Sequence, residues 1–450
     1  MLFRENHPNV IVFLTDQQRH DSTGIHGNPL ELTPNFDRMA RDGTHVAKSF
    51  VAQPLCGPSR SILQTGMYAT KSGCFRNGIP LPQNAKTLAH YFKDAGYATG
   101  YIGKWHLASK DPTPKAEQGG YDYWLAANTL EFSSHPYDTV VYDGDGKETF
   151  LPGYRVDALT DAAIRFIADR RKQPFFLFLS FLEPHHQNDL DDFPPPDGYR
   201  ERYSGRWTPP DLQGHQGSPP QHLAGYWGMV KRLDEALGRL LDSLKSMGLS
   251  DDTVVMFSSD HACHFKTRNG EYKRSCHEDS IRVPTAFYGG PFTGGGAIHQ
   301  LVSSVDLAPT LLSAAGIAVP EVMQGRAITP LLGGKKVDWP DDVFVQISES
   351  QVGRAVRTGR WKYGVNAPDG RPSRDPGSDR YVEQYLYDLE YDPYELTNLV
   401  GLDSHSQLAA VLRKRLLQRM KQAGEAPAEI LPAPRRPGGQ RRVFDRDLSA

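Results

Sequence analysis

Cys56 heads the run Cys56-Gly57-Pro58-Ser59-Arg60, which continues to Leu63-Gln64-Thr65-Gly66. A thiol just ahead of a helix sits where aligned amide dipoles favour an anion, so it is placed to act as a nucleophile or its precursor. An isolated buried cysteine is otherwise packing material. Asp16-Gln17 and Asp260-His261 each follow an apolar run. Two carboxylates with an amide and an imidazole suit a hard divalent cation, although a lone Asp after a strand is more often a cap or turn residue. In Gly103-Lys104-Trp105-His106-Leu107 the alternation of an extended backbone puts Lys104 and His106 on one side.

These side chains need elements whose ends converge. Val10–Leu14, Phe175–Leu182 and Thr253–Ser258 read as buried strands, with Ala98–Ile102 and Thr285–Tyr288 as further ones. Helical spacing covers Pro34–Asp42, Ser59–Thr65, Thr87–Ala95, Asp157–Arg171, His222–Met247 and Asp306–Ala315. Such alternation predicts a largely parallel sheet with helices on both faces and a site beyond the carboxyl ends of its strands. Asp16, the segment after Leu182 and Asp260-His261 all stand at such ends. Near residue 335 the texture changes. Val343–Ser348 and Arg360–Val365 read as strands of a smaller antiparallel unit, and Leu408–Ala423 as a helix packed on it. The chain therefore divides into 1–335 and 336–450, the latter with a Pro- and Arg-rich tail.

The Cys56 run resembles the signature of the type I sulfatases, within the alkaline phosphatase superfamily, whose cysteine is converted to formylglycine by a separate enzyme. Gly103–Leu107 is similar to the family's Gly-Lys-Trp-His element. Glu183–Gln187 is similar to its Pro-His-x-Pro element, with Gln187 in place of the second Pro. Lys273 resembles the Lys that precedes the family's Glu-Ser-Ile-Arg-Val-Pro segment, here Glu278–Pro284 with an added Asp279. Arg360-Trp361-Lys362-Tyr363 and Leu386-Tyr387-Asp388-Leu389 look like its C-terminal motifs, so the likeness runs from Asn9 to about Val400. It implies an alkaline-phosphatase-like α/β sandwich with a large, mostly parallel sheet and a smaller C-terminal α+β subdomain. It also implies Ca2+ (or Mg2+ or Mn2+) held by Asp16, Gln17, Cys56, Asp260 and His261. Gln17 and His261 depart from the Asp and Asn that many members carry there.

The implied catalytic set is Cys56, Arg60, Lys104, His106, His185 and Lys273. The metal and Arg60 hold the formylglycine hydrate, while Lys104, Lys273 and His185 bind the sulfate oxygens. His185, preferred over Lys273 because an imidazole titrates nearer neutrality, protonates the leaving alcohol. His106 then deprotonates the remaining hydroxyl. A phosphonate monoester or phosphodiester hydrolase, and a catalytically silent glycan-binding relative, are the competing readings.

The 450 residues carry a formal net charge of −2 and are 38 % hydrophobic and 23 % charged, which points to neither a nucleic-acid nor a membrane surface. The expected partners are a sulfated small molecule or saccharide and the enzyme that makes formylglycine, with a homo-oligomer left open. No apolar run is long enough to span a bilayer. No signal peptide is legible, so the reading is cytoplasmic, or periplasmic or secreted had a leader been removed. The four cysteines, Cys56, Cys74, Cys263 and Cys276, make no disulfide scaffold, and free thiols are expected. The cluster His261, Cys263, His264, Cys276 and His277 lacks the paired spacing of a structural zinc site. Asp189–Gln221 reads as a loop too polar to form a core, in which Arg200, Arg202, Tyr203, Arg206, Trp207 and His215 stand as candidates to read a glycan.

Overall fold

The computed structural model describes residues 7–334, 336–438 and 443–448. Five parallel strands form the centre of a ten-stranded sheet, in the spatial order Thr253–Ser259, Asn9–Thr15, Phe175–Ser180, Ala98–Lys104 and Tyr123–Ala127. Antiparallel pairing extends it on both sides, through Ala286–Tyr288 at one and Thr139–Asp143 with Glu148–Leu151 at the other. Central strands read as unbroken apolar runs because both faces are covered. Val10, Val12 and Leu14 enter one core with Trp105, Tyr101 and Leu311. Ile11 and Phe13 enter the other with Phe36, Leu159 and Leu237.

Register brings the strand ends level. Thr15 lies opposite Ser259, and Leu14 opposite Ser180, so Asp16 and Asp260 emerge side by side. Gly103, paired with Ser180, has φ 103°, and a Cβ there would stand 1.9 Å from the Ser180 carbonyl oxygen. Only glycine allows that close approach, which places Lys104 at the shared edge. The helix expected at Ser59–Thr65 begins earlier, at Cys56, and ends on Gly66 in the left-handed region. The helix expected at His222–Met247 spans Pro219–Ser246.

Asp342–Ile347, Gly353–Thr358, Trp361–Asn366 and Arg380–Asp388 form an antiparallel meander that Glu429–Leu431 joins in parallel. The Ser406–Gln422 helix buries Leu408, Leu412, Leu416 and Met420 against Val356, Tyr363 and Tyr381. The two sheets meet through Glu278, which accepts from Arg357 Nε (3.1 Å) and faces Lys362 Nζ at 2.9 Å.

The Asp189–Gln221 segment departs from expectation. It holds two short helices, Tyr199–Tyr203 and Pro210–Gln213, and it does form a core. Phe193, Tyr203 and Leu212 are buried with Tyr226, Trp227 and Phe265, and Trp207 packs against the same cluster. Among the described residues no helix is long and apolar enough to cross a membrane. All four cysteines are buried and unpaired.

Candidate active site

Cys56 opens its helix at the sheet's carboxyl edge, and Gly57 behind it is closely packed. A Cβ at 57 would come within 3.0 Å of Asn77 Oδ1, which instead accepts from the Gly57 amide at 2.9 Å. The thiol is buried and ringed by polar groups. Lys273 Nζ lies 2.8 Å from Cys56 Sγ, His261 Nε2 3.2 Å and Asp16 Oδ1 3.7 Å. Burial and Asp16 push the Cys56 thiol up, but Lys104, Lys273 and His261 outweigh them and hold it well below the ordinary thiol range. Positive charge converges on this position, as an anionic ligand at residue 56 would require.

Asp16, Cys56, Asp260 and His261 point ligand atoms at one another, all within 4.8 Å; among the described residues no second such group of His, Cys, Asp and Glu occurs. Cys263, His264, Cys276 and His277 thus do not join His261 in a zinc site. The donor set fits a divalent cation on two further counts. Gln17 donates from Nε2 to Cys263 Sγ (3.3 Å), while its buried Oε1 has no partner. His261 donates from Nδ1 to the Ala262 carbonyl (3.0 Å), which leaves Nε2, 3.3 Å from Asp16 Oδ1, as the nitrogen that a cation would take in exchange for its proton. Gln17 takes φ 69°, which swings it out of the strand line, and Tyr226 donates to its carbonyl.

Electrostatics reflect two carboxylates forced together. Burial raises Asp16, but Lys104 and His185 dominate and hold it well below its usual range. Asp260 is lifted to about 6 by burial and by the charge of Asp16. Burial opposes charge on His261, yet Asp260 brings its pKa to about 9. A bound cation would relieve the same crowding.

Arg60 sits differently from its expected role beside the nucleophile. Its guanidinium donates to Asp260 Oδ2 and Asp16 Oδ2, each at 3.1 Å, to Ser180 Oγ at 2.6 Å and to the Lys104 carbonyl at 2.7 Å. It straps the two carboxylates to the sheet edge, and these bonds leave the thiol to Lys273 and His261.

Lys104 Nζ bonds Asp16 Oδ2 (2.7 Å) and Glu131 Oε1 (3.0 Å). The strand ends at Lys104, and His106 adopts φ 62°, so these two are not aligned by strand alternation. They meet instead around Glu131, whose Oε1 is 3.7 Å from His106 Nδ1. Glu131, on the short Leu130–Ser133 helix after strand Tyr123–Ala127, escaped the sequence reading. Its only signal there is an acidic residue shortly after an apolar strand.

His185 and Lys273 approach from opposite loops, Lys273 Nζ 2.8 Å from His185 Nε2. His185 Nδ1 is 2.6 Å from the His186 carbonyl and must donate there. An ammonium has donors only, so Nε2 accepts from Lys273. Burial and Lys273 lower the His185 pKa. In this arrangement the proton donor facing the pocket is Lys273, against the expectation for His185. Arg206 is exposed and Trp207 stacks near Trp227 (6.0 Å between centroids). Trp207 lines a separate cavity of about 340 Å³ with Arg19, Asp211 and Arg268, away from Cys56.

Comparison with known proteins places the chain in a family. The sulfatase family model matches residues 8–317, and the model of the N-sulphoglucosamine sulphohydrolase C-terminal region matches residues 270–422. An ulvan-active sulfatase of Formosa agariphila is 28 % identical over 93 % of this chain and 82 % of its own. An N-acetylglucosamine-6-O-sulfatase of Bacteroides thetaiotaomicron is 25 % identical over 92 % and 86 %. The crystal structure of the putative sulfatase yidJ from Bacteroides fragilis superposes with a TM-score of 0.82 at 25 % identity, covering 94 % of this chain and 97 % of that one. With well over half its length matched by the family model, the chain belongs to the sulfatases, sulfuric ester hydrolases on the alkaline-phosphatase-like fold.

Proposed function

We propose that this enzyme releases sulfate from a sulfated saccharide, using residue 56 as formylglycine and a divalent ion, Ca2+, Mg2+ or Mn2+, held by Asp16, Gln17, Asp260 and His261. The observation that carries the reading is the buried point where Cys56, two carboxylates, His261 Nε2 and Lys273 converge. Cys56 Sγ marks where the oxygens of the modified residue would stand. Hydrated formylglycine supplies a nucleophilic hydroxyl and a second one whose deprotonation expels sulfate and restores the aldehyde, while the cation supplies positive charge against the charge that develops.

The chain's own groups do the rest. Arg60 fixes both carboxylates. Lys104 and Lys273 bind sulfate oxygens in a water-poor pocket, where such contacts gain strength. Lys273 gives the proton at Nζ to the departing alcohol oxygen, with His185 Nε2 as its hydrogen-bond acceptor. His106 takes the proton from the remaining hydroxyl of residue 56. The saccharide assignment is supported by relatives named for ulvan and N-acetylglucosamine-6-O-sulfate.

The test is a panel of sulfated saccharides assayed beside a phosphonate monoester and a phosphodiester. Sulfate release at least about tenfold above phosphoryl ester cleavage in kcat/KM, a transition-state preference of about 1.4 kcal/mol, is expected. The reverse order would assign the site to phosphonate or phosphodiester hydrolysis, and silence on every substrate to glycan binding. Chelation should abolish turnover, and titrating back each of the three ions identifies the one used.

A further inference from the structure

Glu131 belongs to no motif that marks this family in the chain, yet it holds a central place. It is buried, and its Oε1 serves both the Lys104 ammonium and, at 3.7 Å, His106 Nδ1. Two polar atoms here are buried with no hydrogen-bond partner: His106 Nδ1 and the second carboxylate oxygen, Glu131 Oε2. Orphaned groups of this kind are costly, and each supplies what the other lacks, an N–H and an acceptor. Catalytic hydrogen bonds are often long in an empty site and shorten when substrate binds.

The surroundings of Glu131 limit how it can move. Gln187 donates from Nε2 to the Glu131 carbonyl at 2.8 Å, and the same Gln187 amide bonds the Ser134 carbonyl at 3.1 Å. Gln187 follows His185 by two residues, so the turn that carries His185 also pins the short helix that carries Glu131. On the other side the His106 amide donates to the Asn128 carbonyl at 2.8 Å, three residues before Glu131. Both backbones are fixed, and the 3.7 Å gap can be closed by side-chain rotation.

We propose that Glu131 is the positioning residue for His106. Its carboxylate accepts a hydrogen bond from Nδ1–H, which fixes that tautomer and turns Nε2, the basic nitrogen, toward residue 56. Glu131 touches neither substrate nor sulfate and acts through His106. This rests on the reading of the site as a formylglycine sulfatase, in which His106 serves the half-cycle that releases sulfate after the alcohol has left.

The test uses Glu131→Gln, which preserves size while removing the charge, and Glu131→Ala as a second variant; Lys104 keeps Asp16 in both. With an aryl sulfate and enzyme carrying the aldehyde at residue 56, rapid mixing follows alcohol release. Glu131→Gln should keep a burst of alcohol close to one per site and a kcat/KM within about twofold, while kcat and KM fall together by about tenfold or more. In a His106→Ala background the same change should have no further effect, since coupled residues are not additive. A slow variant without the burst, or a further fall in the double variant, would mean that Glu131 acts elsewhere and overturn the inference alone. So would unchanged kcat in both Glu131 variants. Wild-type enzyme with the aldehyde in place and no sulfate release would overturn the functional reading itself.

Discussion

Lys104 is wholly buried between Asp16, which also has Arg60 as a counter-charge, and Glu131, for which it is the one Lys or Arg partner among the described residues. Lys104→Met keeps much of the volume, leaves Glu131 uncompensated in the interior and leaves Asp16 to Arg60. Breaking a buried pair in this way costs about 3–5 kcal/mol, so the urea midpoint should fall without a change in slope. Turnover should drop about a hundredfold or more, because a fixed cation at the reacting anion is lost. An unchanged midpoint would show that Glu131 finds another partner. At this scale the sequence carried most of the site. Cys56, Asp16 and Asp260 were legible because each stands directly after an apolar run or at the head of a motif. Arg60 was legible as a residue of the site, but not as the strap across Asp16 and Asp260, since five donors can be spent in any direction. The proton on His185 was illegible too: it is decided by the His186 carbonyl and by Lys273, 88 residues away in sequence. Glu131 needed the fold, because nothing in Leu130-Glu131-Phe132 tells a solvated acid from a buried one.

Among the elements, four of the five central strands were readable to within two residues, as doubly covered strands are continuous apolar runs with polar ends, while the fifth, Tyr123–Ala127, was not read. The Asp189–Gln221 segment was not. Its core residues Phe193, Tyr203 and Leu212 follow neither strand nor helix spacing, and their partners Tyr226 and Trp227 lie on the next helix. Periodicity cannot reveal a core assembled from irregular backbone. The packing also changes what Trp207 does. Trp227 Nε1 donates to its carbonyl at 3.3 Å and the two ring planes are tilted by 31°, so Trp207 supports the Pro219–Ser246 helix. Trp207→Ala is expected to lower Tm by a few degrees, about 1–2 kcal/mol of lost packing, with KM for a sulfated oligosaccharide nearly unchanged. Exposed Arg206→Ala should alter neither. A tenfold rise in KM for either variant, with Tm held, would restore this segment to substrate recognition.

Across the whole molecule, the C-terminal sheet steadies the segment that carries Lys273. Glu278, five residues on, receives Arg357 and Lys362 from that sheet, and Arg274 donates its amide to the Pro54 carbonyl beside the Cys56 helix. Burial favours the neutral form of Glu278, but Arg357 and Lys362 prevail and hold its pKa well below the ordinary 4.5. A carboxyl depressed in the folded state adds stability that is complete above its unfolded value and is lost as pH falls toward the folded one. Thermal stability should therefore decline below about pH 4.5, and Glu278→Gln should be less stable at neutral pH with a shallower acid decline. Equal acid slopes in the two proteins would remove Glu278 from the coupling.

The central claim is that the aldehyde at residue 56 performs the reaction. Preparations can be made with different extents of conversion by co-producing the chain with varying amounts of a formylglycine-generating enzyme. The measurement is sulfate released per protein molecule from one sulfated saccharide, set against the aldehyde fraction of the peptide spanning Cys56 determined by mass spectrometry. A straight line through the origin is expected, with Cys56→Ala on the origin. Turnover by protein whose residue 56 remains a thiol, or by Cys56→Ala, would contradict it.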